Sequence, residues 1–447
     1  MKRMDSQIVV IGGGLAGLAA AHRLRGAGLR VVVVERAPVV GGRARTDQVG
    51  GYRIELGAEF LASFYSRTLA LIAELGLSSE LQRIPRSSAI LRAGRFYELW
   101  PNARAAFTPL LDLRQKLRLS HLVGSLLRHA IELDPQAIQK AHLVDDRSVS
   151  SYARTHLSEE LLEYLLQPAI SGIFYWTPER TSRAIMLIAL RAGLSRPLGL
   201  QLLTLREGLG RLGRALAERL DVRASAEVVA VQRAPGGGYL VQARAGAAEL
   251  PLHADGLVVA TTASEVPKLL PWLDAERQAF FRAVRYSSTV NLAVGLHGQL
   301  PRHLYGLLFP RRETPFLASA TVQSVKGTSF APDRHDLICL HLSGSATVAL
   351  HQYDDATLSR LMLSDLRRLA PAYDPTPTLH MQRLYRCAEA LPEFDVGSFQ
   401  RLARFARGAI EPERMVFAGD YLGGPFVEGA VTSGQQAAER LLTQLGH

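Results

Sequence analysis

An apolar run from Gln7 to Ile11 meets Gly12, Gly14 and Gly17 in G-x-G-x-x-G spacing. A helical pattern over Leu15 to Gly26 follows, then a second apolar run, Arg30 to Val34, ended by Glu35. This order predicts a strand–helix–strand unit of a parallel sheet, built to receive a dinucleotide. Gly12 permits the tight turn, Gly14 lets the backbone approach a pyrophosphate, and Gly17 allows helix and strand to pack closely. The helix start, at Leu15 and Ala16, offers free amides and the positive dipole end to the phosphates. Glu35, with Arg36 beside it, is placed to accept hydrogen bonds from a ribose 2′-hydroxyl. An acid there disfavours a 2′-phosphate, which argues against NADP at this site.

The chain has 447 residues, long enough for two or three domains. Its two cysteines, Cys339 and Cys387, exclude a disulfide framework, and its histidines show no paired spacing, so no metal site is expected. The first residues imitate a secretory leader, but Asp5 and the interrupting glycines argue against cleavage. No apolar run reaches the roughly 18 residues of a membrane span. A net charge of +11 comes mostly from arginine spread thinly along the chain, without a nucleic-acid module. The expected location is the cytoplasm.

After the second strand the chain continues ERAPVVGGRARTDQVGGYRIELGAEF, with Gly41-Gly42-Arg43 in a turn before a hairpin. The pattern resembles the flavin superfamily of monoamine oxidases, protoporphyrinogen oxidases and phytoene desaturases. The resemblance implies FAD, with Gly42 and Arg43 over its pyrophosphate and flavin and Gly57, Ala58, Glu59 and Phe60 running past the isoalloxazine. It extends to the glycine-containing loop and helix of Leu205 to Leu220. Beyond lie a strand from Val222 to Arg233, whose Val228 would hold the adenine through its backbone, and a buried strand from Ala254 ending near Thr261. It also extends to VFAGDYLGGPFVEG near the C-terminus. There Gly419 and Asp420 would meet the ribityl and pyrophosphate region, and Phe426, Val427 and the helix from Glu428 would face the flavin N1/O2 edge.

The fold implied is α/β, a Rossmann-type FAD-binding domain with a discontinuous mixed-sheet substrate domain and a helical cap. The FAD-binding domain would gather residues 1–82, 203–264 and 391–447. Residues 83–202 would form a mainly helical cap and 265–390 a substrate domain, with strands at Thr289 to Leu296 and Leu337 to Leu342 and a helix at Thr357 to Leu369.

Within that family, the flavin-facing lysine of monoamine oxidases would align with Asn291. Their covalently linking cysteine would align with Ser398, which implies noncovalent FAD. Phe399 and Phe426 are candidates for an aromatic pair beside the flavin, with core packing as the alternative. QPAISGI (Gln167 to Ile173) and ALPEFDVG (Ala390 to Gly397) are similar to segments of the protoporphyrinogen-oxidase and phytoene-desaturase branch. Phe174-Tyr175-Trp176-Thr177 and Phe394 depart from its pattern and put protoporphyrinogen itself in doubt. Glu59 and Tyr175 are candidate groups near the flavin, with purely structural roles as the alternative.

The expected reaction is dehydrogenation of an apolar small molecule by hydride transfer to flavin N5, with oxygen or another acceptor taking the electrons. An amine or amino-acid oxidase and a noncatalytic dinucleotide-binding redox partner are the competing readings. Between Arg83 and Arg128, the basic residues Arg83, Arg86, Arg92, Arg95, Arg104, Arg114, Lys116, Arg118 and Arg128 outnumber Glu98 and Asp112. They interleave with Phe96, Tyr97, Trp100 and Phe107. The segment suits either a peripheral membrane surface or a solvated cationic face.

Overall fold

The computed structural model describes residues 7–84, 87–99, 108–194, 200–408 and 414–446. Gln7–Ile11, Leu15–Gly26 and Arg30–Val34 form the expected strand, helix and strand. They belong to a five-stranded parallel sheet, ordered Asp221–Arg223, Arg30–Val34, Gln7–Ile11, Gly256–Val259, Met415–Phe417. Both faces are covered over the other four strands, which read as near-continuous apolar runs, whereas the edge strand Asp221–Arg223 keeps two exposed charges. The last helix, Val427–Leu445, packs against the first, Leu15–Gly26. Their approach requires glycine at 434, where a Cβ would lie 2.1 Å from the Ala16 carbonyl oxygen. In the same way, a Cβ on Gly17 would lie 2.0 Å from the Gly12 carbonyl oxygen, which holds the first helix tight against its strand.

The segment expected as one strand from Val222 to Arg233 is two. Asp221–Arg223 closes the parallel sheet, whereas Glu227–Arg233 opens a three-stranded antiparallel sheet with Tyr239–Ala245 and Ala248–Ala254. The break comes at Ser225, whose φ of +54° turns the chain.

A seven-stranded sheet runs in the order Leu379–Cys387, Thr289–His297, His335–Leu342, Leu317–Val322, Leu304–Leu308, Ser87–Arg92, Arg95–Leu99. The last two strands are an exception at the start of the segment read as mainly helical from residue 83. Ala93 and Gly94 both adopt positive φ, 49° and 75°, and form a two-residue hairpin turn that returns the chain into this sheet. Pairing of Ser87–Arg92 with Leu304–Leu308 is parallel. Helices gather after this hairpin, at Leu113–Arg118, Ser120–Arg128, Val149–His156, Gln167–Phe174 and Arg183–Leu194. A π-helical stretch, Leu162–Leu166, precedes the fourth. Of the basic segment, Arg86, Trp100, Arg104 and Phe107 lie outside the described residues.

Candidate active site

One cavity of about 1410 Å³ runs from the glycine turn at Gly12 and Gly14, past Arg43 and Glu59, to Leu190 and Leu194. Its first part is built from both ends of the chain. Leu15 and Ala16 at the start of the first helix and Phe426 and Val427 at the start of the last share its wall, with Gly419 between. Two helix N-termini thus bring free amides and positive dipole ends to one space.

Glu35 stands where the second strand ends. Its Oε2 accepts from the Gly13 amide at 2.6 Å and its Oε1 from the Ala37 amide at 2.8 Å, so the carboxylate is fixed while spare lone pairs face the cavity it lines with Arg36. Val228 lines the same region beside a bulge between Val228 and Ala230, and Thr261 closes the wall opposite. Gly42, Gly57, Ala58 and Phe60 continue the lining. Arg43 joins the two termini. Its guanidinium donates to Asp420 Oδ1 at 2.8 Å and to the Ala390 carbonyl at 3.1 Å, 5.5 Å from the Tyr286 ring centre.

Farther in, the walls come from the seven-stranded sheet on one side and from helices Gln167–Phe174 and Arg183–Leu194 on the other. Ile170, Ile185, Met186 and Leu190 face Tyr305, Leu308 and Ala320. Asn291 lies on this wall; its Nδ2 donates to the Glu55 carbonyl at 3.2 Å and its Oδ1 has no hydrogen-bond partner.

Phe399 takes the core-packing alternative rather than a place beside the flavin. It is fully buried behind the wall, its ring 5.4 Å from Phe394 and its amide held by Asp145 at 2.9 Å. Phe426 has other aromatic neighbours: Phe174 at 5.7 Å, Phe64 and Tyr65 each at 6.1 Å, with Phe174 stacked on Trp176 at 4.6 Å. The helix carrying Phe399 turns that side chain into the core, so no cage forms with Phe426. Ser398 also lies outside the cavity, donating to Asp395. The cysteine on the cavity wall is Cys387, and burial pushes its thiol up. Gly17 stands behind the wall, a packing position.

Glu59 and Tyr175, both singled out in the sequence, sit in a polar cluster whose other members the sequence reading missed. Tyr305 donates to Glu59 Oε2 at 3.0 Å and Gln323 at 2.6 Å; Lys326 donates to the Glu59 carbonyl, its Nζ 3.8 Å from Oε2. Burial alone would raise this carboxyl, but Lys326, then His341 and Gln323, hold it well below the usual carboxylate range. Tyr175 and His341 complete the group, their hydroxyl and Nδ1 3.3 Å apart. One signal was legible: His341 interrupts the apolar strand LICLHL, and a buried polar residue there needs a partner. His297, His335 and His380, scattered in sequence, also come together, with ring centres 5.0 and 4.8 Å apart in succession.

The arrangement fits FAD: two helix N-termini share one elongated cavity with an acid at the end of the second strand and an aromatic-lined apolar extension. The sequence pattern of flavin containing amine oxidoreductases matches residues 15–442. The chain is 26% identical to the protoporphyrinogen oxidase of Bos taurus, over 98% of this chain and 99% of that one. It is 25% identical to the coproporphyrinogen III oxidase of Mycobacterium bovis, over 98% and 97%. Among solved structures, cyclohexylamine oxidase from Brevibacterium oxydans shares the fold with a TM-score of 0.75 at 20% identity, over 99% and 100% of the two chains. A cavity shaped for FAD and a match along almost the whole sequence lead to one assignment: the chain belongs to the flavin containing amine oxidoreductase family and is an FAD-dependent oxidoreductase.

Proposed function

We propose that the protein dehydrogenates a largely apolar macrocycle of the porphyrinogen class. The observation that carries this reading is the single cavity of about 1410 Å³, beyond the roughly 1,000 Å³ at the upper end of ordinary ligand pockets. It leaves room for a bulky substrate beyond the cofactor. Bound FAD supplies the two-electron acceptor. Leu15, Ala16, Gly42, Arg43, Asp420 and Val427 hold its phosphate and ribityl region, and Glu35 holds its ribose. Ile170, Met186 and Leu190 present an apolar face that excludes water from the substrate, and Arg83, exposed on the rim, offers a cation to a carboxylate side chain. Attachment of FAD is noncovalent, so acid precipitation leaves all the flavin in the supernatant.

Two relatives whose names specify porphyrinogens support the substrate class. Mixing the yellow protein anaerobically with protoporphyrinogen IX or coproporphyrinogen III tests it: the flavin band bleaches and porphyrin fluorescence appears. Bleaching by simple amines instead, with neither porphyrinogen active, would favour an amine oxidase. Asn291 at the lysine position weighs against that. Peroxide formed in air distinguishes oxygen from another electron acceptor.

The FAD-binding unit comprises 1–82, 203–264 and 391–447. The substrate unit comprises 265–390 with the hairpin of 87–99, and the helical cap covers the remainder up to 202. The cap meets an anionic membrane surface through Leu113–Arg118 and Ser120–Arg128. Leu113, Leu117, Val123 and Leu127 are more than half exposed there, beside Arg114, Lys116, Arg118 and Arg128.

A further inference from the structure

We propose that Tyr175, His341 and Glu59 form a proton relay that removes the substrate's acidic proton as its hydride departs; this rests on reading the cavity as a dehydrogenation site. All three line that cavity. His341 is 3% exposed and sits in strand His335–Leu342, opposite Asn291 and Ser319 on the flanking strands. Its Nδ1 is 3.3 Å from the Tyr175 hydroxyl and its Nε2 is 3.4 Å from Glu59 Oε1. Neither Nε2 nor Oε1 has a hydrogen-bond partner. Tyr305 and Gln323 both donate to Oε2, so Glu59 is anchored through one oxygen and keeps the other for the imidazole.

Tyr175 is itself held under strain. It ends helix Gln167–Phe174 with φ +59° and ψ +22°, a left-handed conformation that L-residues rarely adopt. Such residues cluster where a side chain must be aimed. Burial, and then Glu59, pushes the phenol far above its usual range, so Tyr175 passes a proton as a neutral hydroxyl.

A porphyrinogen has a saturated carbon bridging pyrroles that carry N–H groups. The C–H bond breaks with both electrons leaving as hydride for the FAD of the proposed reaction. The N–H bond breaks with its electron pair retained, completing the new double-bond system. Its proton passes to the Tyr175 oxygen while the Tyr175 proton moves to His341 Nδ1. The imidazolium then lies against ionised Glu59 until its proton is released to solvent. The substrate has lost one hydride and one proton. Tyr175 is the catalytic group; His341 and Glu59 act through it.

Other titratable groups around Glu59 and His341 are Lys326, Tyr305, Cys339 and Glu55. Burial pushes Tyr305 and Cys339 well above their usual ranges and Glu55 up to about 7. Glu55→Gln is therefore the control for any break near neutrality. FAD-loaded wild type, Glu55→Gln, Tyr175→Phe and His341→Gln are compared by anaerobic flavin bleaching with both porphyrinogens, between about pH 5.5 and pH 9, in H₂O and D₂O. Tyr175→Phe and His341→Gln should bleach at least about 100-fold more slowly with the 450 nm flavin band retained, roughly the contribution of general base catalysis. His341→Gln should also lose the slowing in D₂O that Glu55→Gln keeps.

By proton NMR, the wild-type holoprotein should show a low-field imidazole N–H resonance, absent in His341→Gln and displaced in Glu59→Gln. Wild-type rates and pH profiles in Tyr175→Phe and His341→Gln would overturn the relay. A wild type that holds FAD but is bleached by neither porphyrinogen sinks the substrate reading instead. The resonance then judges the hydrogen-bonded chain alone, and its absence overturns the relay as well.

Discussion

Glu55 is fully buried, accepting from Thr46 Oγ1 at 2.7 Å and from the Leu209 amide at 3.0 Å, and burial pushes its carboxyl up to about 7 against Lys326, which lowers it. A folded state that holds a proton more tightly than the unfolded chain is stabilised while that proton is bound. Stability should therefore fall as pH rises from the ordinary carboxylate range to about 7, by about 3 kcal/mol, and then level off. Glu55→Gln should flatten the melting temperature across that range; an unchanged slope in thermal melts would place the titration elsewhere. Arg43 and Asp420 are the second residue-scale test. Asp420→Ala leaves the half-buried guanidinium without its carboxylate, and FAD should be retained less tightly, by about 2 kcal/mol or roughly 30-fold in Kd. Fluorescence of free flavin after dilution measures it. Glycine spacing and the terminal acid were legible in the sequence because their function is local. The roles of His341 and Lys326 were not, because three strands and a short helix must meet before either finds Glu59.

Among the elements, the last helix does more than line the cavity. Glu428 in its first turn accepts from the Arg67 and Thr68 amides at 2.8 and 2.9 Å and from Thr68 Oγ1 at 2.7 Å. It thereby satisfies the free N–H groups at the start of helix Ser66–Glu74, which has no cap of its own. Glu428→Ala should cost about 3 kcal/mol, read by urea unfolding, because it orphans buried donors to a charged acceptor. Gly434→Ala should force the first and last helices apart, costing about 2 kcal/mol in the same experiment and weakening FAD retention. Strand Arg30–Val34 and helix Leu15–Gly26 were read to the residue, since each carries its own period and stop. The hairpin of Ser87–Leu99 was obscured: its Ala93-Gly94 turn is a weaker signal than Asn-Gly, and charge dominated the reading of that stretch. Phe399 shows the same limit from another side. Apolar residues one helix turn from a ligand and one turn into a core look alike until the helix is oriented.

At the scale of the molecule, net charge is +11, and the apolar face of Leu113–Arg128 lies on a helix pair touching Arg183–Leu194. That last helix carries Leu190 and Leu194 of the cavity wall. Among the described residues no helix is long and apolar enough to cross a membrane. The protein should co-sediment with anionic vesicles at low salt and be released as salt rises. Leu117→Glu with Leu127→Glu should abolish binding without altering flavin content; loss of neither would assign the face to solvent. The crossing of the first and last helices, closed by Gly434 against Ala16, also sets a timetable. The floor of the coenzyme pocket is therefore synthesised long before its opposite wall. A chain cut short before Val427 should therefore stay colourless when mixed with FAD, and the arrival of this late helix, not early collapse, should be the moment when the protein turns yellow.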